Sequence, residues 1–149
     1  MLRRIAVVTA ALLAGACTSV RVRPVDAAAS MKHVCIEENP KVIVPGFLAT
    51  VRDGFDRHGI STQVYSGDVP ASCEFVLTYT ALRSWDLAPY LSHAELKLES
   101  GGREVAAAEY HLNAKGGFSL MKWQGVKTKM DPVIDELLAG YRRGAAPSE

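Results

Sequence analysis

Long apolar runs are missing from this chain. The longest, from Ile5 to Ala16, falls short of the roughly 20 residues that a membrane-spanning helix requires. An excess of charge of either sign is missing too, with 17 Lys and Arg against 16 Asp and Glu. No basic face or stripe of the kind that neutralises phosphates can be assembled from such a balance, so nucleic acid is excluded as a partner. Cysteine is scarce, at three residues. Recognised catalytic spacings are absent: no G-x-S-x-G elbow, no H-E-x-x-H, no phosphate-cradling loop and no dinucleotide fingerprint. Neither an enzyme class nor a cofactor is therefore expected. Gly116-Gly117-Phe118-Ser119 reads as a turn rather than a phosphate loop.

What is present begins at the amino terminus. Arg3-Arg4, the short apolar run and the small residues Ala14-Gly15-Ala16 before Cys17 have the form of an export signal that ends in a lipobox. Residues 1–16 are expected to be removed and Cys17 to carry the lipid, making the membrane, reached through that amino-terminal anchor, an expected partner. Removal of Arg3 and Arg4 leaves 15 basic against 16 acidic residues, a net charge of about −1. Thr18, rather than Asp, follows Cys17, which by analogy with lipoprotein sorting points to the outer membrane, facing the periplasm. With Cys17 assigned to lipid, Cys35 and Cys73 remain as a pair that an oxidising compartment favours joining. In the chain-entropy account such a bridge contributes about 4 kcal/mol, the alternative being two buried thiols.

Residues 17–30, small, alanine-rich and interrupted by Pro24, read as a tether between lipid and domain. A single domain is expected over 31–143, with a disordered tail at 144–149. His33–Glu37 alternates like a half-buried strand, and Phe47, Leu48, Val51 and Phe55 fall on one helical stripe that ends before Gly59. Gln63–Tyr65 is a short strand. Cys73–Leu82, Leu91–Glu99 and Arg103–Leu112 follow as three strands, the last two joined by a tight Gly101-Gly102 hairpin. Val126, Met130, Val133, Ile134, Leu137 and Leu138 make a second helical stripe, beginning either at the Asp131-Pro132 cap or near Leu120 with a kink at Pro132; the unbroken phase favours the latter. The order β-α-β-β-β-β-α implies an α+β two-layer sandwich, a mixed sheet with two helices on one face. Val34, Ile36, Phe75, Leu77, Leu96 and Leu98 should lie beneath those helices, leaving His33, Glu95, Lys97, Glu99 and His111 on the open side.

Lys32-His33-Val34-Cys35-Ile36-Glu37-Glu38-Asn39-Pro40, the run from Leu77 to Asp86 and the segment Leu120-Met121-Lys122-Trp123 resemble the uncharacterised "Sbal" family of small lipoproteins from Gram-negative bacteria. The resemblance spans residues 31 to 141; it implies a lipoprotein and carries no catalytic residue. In element order alone, the domain is similar to the lipopolysaccharide-assembly lipoprotein and to the amino-terminal domain of the Tol translocation protein. Fold analogy of that kind assigns no function.

His33, His93 and His111 share a side of the expected sheet, yet no H-x-H or C-x-x-C pair concentrates ligands, and no metal site is expected. Asp131, Asp135 and Glu136 suit the start of a helix at Pro132. The candidate binding surface is the link Ser84–Tyr90, with Trp85, Asp86, Leu87 and Tyr90: aromatic and aliphatic residues in what reads as an irregular connection, barred by Pro89 from being a central strand. A bland role for Trp85 and Leu87, capping the open end of the sandwich, stands beside the recognition role. The expected function is an envelope interaction module with a possible envelope-protein partner, the alternative being a carrier with a cavity between helices and sheet.

Overall fold

The computed structural model describes residues 18–27, 29–113 and 120–141. Its strands are β1 (Thr18–Arg23), β2 (His33–Glu37), β3 (Ser61–Tyr65), β4 (Phe75–Asp86), β5 (Ala88–Ser100) and β6 (Arg103–Leu112); its helices are α1 (Phe47–Arg57) and α2 (Val126–Leu137), and a 3-10 turn covers Leu120–Trp123. The six strands form one mixed sheet in the order β1-β6-β5-β4-β2-β3. β2 and β3, joined through α1, are parallel, as a helical crossover requires, whereas β4, β5 and β6 form the antiparallel meander.

Side-chain alternation decides which face is covered. Val34, Ile36, Leu77, Leu96 and Leu98 are fully buried and Phe75 nearly so, packed with Phe47, Val51 and Phe55 of α1 and Met130, Val133, Ile134 and Leu137 of α2. The two helices approach closely because α1 has Gly54 at the crossing: a Cβ there would lie 2.6 Å from Ile134 Cγ2. On the other face His33, Glu95, Lys97, Glu99 and His111 all remain partly or fully exposed. Cys35 also points outward, and is covered by its bond to Cys73, with Cα atoms 5.7 Å apart. At the far end of the meander, Gly101 and Gly102 both adopt positive φ, 58° and 73°, which a two-residue hairpin needs and a side chain would resist.

Two expectations require correction. The segment expected to be a tether is part of the domain: Thr18–Arg23 pairs antiparallel with β6 along its whole length, and Val25 is buried in the core. The valines of Ser19-Val20-Arg21-Val22-Arg23 alternate with polar residues at the period of a strand, a signal masked by the alanine-rich stretch that follows. Val25 then donates its amide to the Leu137 carbonyl at 2.9 Å, fastening this segment to the end of α2. The second correction concerns the last helix. It is not continuous from Leu120; the 3-10 turn stops at Trp123, and α2 begins after Gly125 with Pro132 in its interior. Pro132 has no N–H to offer the carbonyl one turn back, and the stripe of Met130, Val133, Ile134 and Leu137 holds the helix together across that gap.

Candidate interaction surface

The Ser84–Tyr90 segment is not an irregular connection. β4 and β5 continue past the rest of the sheet as a two-stranded ribbon, with Trp85 opposite Pro89 and Asp86 opposite Ala88, and Leu87 at the apex. Pairing of β5 with β6 ends at His93, so beyond it Pro89 interrupts no inner ladder. The register slips between Leu82 and Arg83, opposite Ser92, whose hydroxyl donates to the Leu82 carbonyl at 3.2 Å. Such a bulge re-aims the side chains beyond it. Before the slip Tyr79 and Ala81 face the core and Leu82, on the opposite face, is 59% exposed; beyond it Trp85 is 74% exposed and Leu87 80% exposed. Capping of the sandwich by Trp85 and Leu87 is therefore excluded.

The ribbon is braced. Lys122, on the 3-10 turn, extends a nearly buried side chain to Asp86, Nζ to Oδ2 at 2.6 Å, and Trp123 Nε1 donates to the Asp86 carbonyl at 3.0 Å. The ammonium lies 5.6 Å from the centre of the Tyr90 ring and 5.5 Å from that of Trp123. The Asp86 carboxylate holds the Lys122 pKa above its ordinary value. Beneath it Lys129, buried, donates to the carbonyls of Leu91 at 3.1 Å and Lys122 at 2.6 Å, and burial lowers its pKa. Of the four residues singled out in the sequence, Trp85, Asp86 and Leu87 thus form one exposed tip while half-buried Tyr90 belongs to its base. Their bracing residues Lys122, Trp123 and Lys129 lie more than 30 residues downstream, with nothing in their local pattern to signal the contact.

Elsewhere the open sheet face carries a shallow hollow of about 470 Å³ lined by residues such as Glu38, Asn39, Thr78, Thr80, Glu95 and Lys97. On the same face His93 and His111 meet with ring centres 5.6 Å apart, and the Glu95 pKa is lowered, first by its hydrogen bond with His93 and further by Lys97, against the opposing effect of burial. Among the described residues no group of three His, Cys, Asp or Glu is placed to hold a metal ion. His33 instead pairs its Nδ1 with the Ser61 hydroxyl at 2.8 Å. The carboxylates are not at a helix start: Asp131 lies mid-helix and Asp135 and Glu136 in the last turn of α2, and two of the three bind α1, Arg57 reaching Asp131 at 3.0 Å and Asp135 at 2.8 Å, with His58 Nε2 2.9 Å from Asp135. Cys17, and Gly116–Ser119 where the sequence leads one to expect a turn, lie outside the described residues.

No protein-family model matches the chain, and no curated protein matches it. Among solved structures the fold is similar to a point variant of the PelC dodecamer from Paraburkholderia phytofirmans in space group C2, at 14% identity over 78% of this chain and 96% of that one, with a TM-score of 0.51. The PelC dodecamer from the same organism in space group P6 gives a TM-score of 0.50 at the same identity and coverage. At that identity the likeness is one of fold.

Proposed function

We propose that this chain is a lipid-anchored lipoprotein of the cell envelope, held through Cys17 and facing the periplasm from the outer membrane, and that its domain is a non-enzymatic interaction module. The observation that carries the interaction role is the braced β4–β5 tip, where Leu82, Trp85 and Leu87 stand in solvent on an element that packing and hydrogen bonds hold in place. The envelope address draws on the lipobox ahead of Cys17 and agrees with the Cys35–Cys73 pair at bonding distance. A carrier would need a sizeable space between helices and sheet; Phe47, Phe55, Leu77, Leu96 and Ile134 fill most of that layer as fully buried side chains, and a hollow of about 250 Å³ is left between α2 and the β1–β6 pair, lined by residues such as Val20, Tyr110, Lys129 and Val133. In cells that export it, the wild-type protein should fractionate with membranes carrying acyl chains on Cys17, while Cys17→Ser should yield soluble or unprocessed protein. Maturation and membrane fractionation of Cys17→Ser would defeat the anchor.

A second reading concerns self-association. The sheet has two edge strands, β1 and β3, and edges are surfaces on which another copy can add. The PelC structures of similar fold are dodecamers. Light scattering on the purified, detergent-solubilised protein distinguishes a closed oligomer from a monomer.

A further inference from the structure

The register of the sheet ties the β4–β5 tip to the start of the chain. β1 enters at Thr18, which pairs with Leu112, and the neighbouring His111 pairs with His93 of β5. Thr18 therefore lies level with the last turn-ward rungs of β5, and the ribbon extends past it by four residues or so, roughly 13 Å at strand rise. Cys17 is joined directly to Thr18, and adjacent Cα atoms are only about 3.8 Å apart. An anchor at Cys17 and the tip of Leu87 consequently belong to the same end of the sheet.

We propose that the β4–β5 tip enters the interface of the bilayer that holds Cys17, so that the domain contacts its membrane at two points, the acyl anchor and the side chains of Trp85 and Leu87. The inference rests on the anchor reading above and adds to it an orientation. The composition of the tip suits a lipid interface: apolar Leu82, Trp85 and Leu87 project outward, Met121 of the adjoining 3-10 turn is half exposed, and Trp85 supplies an amphipathic ring of the kind that settles at headgroup depth, while Trp123 stays partly buried at the base with its Nε1 on the Asp86 carbonyl. Its carboxylate, Asp86, is paired with the Lys122 ammonium at 2.6 Å, so the tip presents no unpaired negative charge to the headgroups. Arg83 stands exposed on the same ribbon, where it would face anionic headgroups. Leu87 has φ of 61°, a conformation that glycine adopts without strain, so the chain keeps a large apolar side chain in water at the one described non-glycine residue with positive φ. Folding does not reward that choice, whereas insertion into lipid does. One acyl-bearing residue fixes distance to a membrane but leaves the domain free to turn; a second apolar contact beside it sets the tilt.

The test uses the processed full-length protein reconstituted into vesicles of phosphatidylethanolamine and phosphatidylglycerol, with and without brominated acyl chains, the mass of the Cys17 peptide being read in the same preparation. Tryptophan emission should be blue-shifted and strongly quenched by brominated lipid, and Trp85→Phe should lose most of that quenching while Trp123→Phe retains it. Circular dichroism of both variants checks that the fold is kept. Acylated Cys17 with Trp85 emission unquenched and water-like overturns the tip proposal and leaves the anchor standing. A Cys17 peptide without acyl mass overturns the anchor and the tip proposal with it. Emission that shifts only on addition of a periplasmic protein, and not in bromolipid, assigns the tip to a protein partner and likewise overturns the proposal.

Discussion

β5 is shared by two hairpins that solve the same problem in opposite ways. At one end, Gly101 and Gly102 take positive φ without side chains, and the turn is short, polar and unstrained. At the other, Leu87 takes positive φ with a branched side chain, exposed, and requires outside help from Lys122 and Trp123 to hold the ribbon that presents it. The first turn is the answer that chain folding alone favours. The second breaks the local rule in backbone, in exposure and in its dependence on remote residues, and such departures concentrate where a protein does something other than fold.

Four substitutions measured by denaturant unfolding bear on that contrast, three taken from the largest effect to the smallest and one, Lys97→Ala, as the control beside the first. The strand common to both hairpins should be the most sensitive: Leu96→Asp places a carboxylate in the fully buried layer beneath the helices and should cost roughly 4 kcal/mol or more, enough to unfold the domain. Its neighbour Lys97, on the open face, should tolerate alanine with a change within about 0.5 kcal/mol. Equal losses for the pair would mean that the register is wrong and the comparison of the two ends baseless. Next, Gly102→Val forces a β-branched residue to a φ of 73° and should cost about 1–2 kcal/mol. Leu87→Gly should act in the other direction. Relief of the strained backbone outweighs the added freedom of the unfolded chain, so stability should rise slightly, by less than about 1 kcal/mol. A loss at Leu87 comparable to that at Gly102 would show that the leucine serves the fold, and the asymmetry of the hairpins would vanish.

Much of the fold is legible in the sequence because its signals are local. The alternation of Val34 with Ile36 and of Leu96 with Leu98, the Gly101-Gly102 pair and the stripe from Met130 to Leu138 all report a period or a turn over a few residues. What stays hidden depends on distant pairing. Thr18–Arg23 has a strand period too short to outweigh its alanine-rich surroundings, and its partner lies in β6. The tip is recognisable as a candidate from Trp85 and Leu87, yet it reads as irregular because Pro89 bars an inner strand; that bar lapses where β6 has ended and the ribbon has only two strands. Gly54 gives no sign of its purpose, since a glycine within an amphipathic helix does not reveal which side chain of another helix will come within 2.6 Å of its missing Cβ.

The pairing of β1 with β6 bears on the order in which the molecule is completed. Thr18 and Leu112 are separated by roughly 90 residues of chain, so the earliest strand made waits for nearly the last one, with Val25 waiting longer still for Leu137. Contacts between such distant points pay loop-closure entropy late and slow the final closure. Until then β6 has an open flank and β1 is an unengaged ribbon of alternating valine and arginine. The interval before that closure is when neighbouring chains can compete for the same edge, and the arginines at positions 21 and 23 are the kind of charge that discourages them.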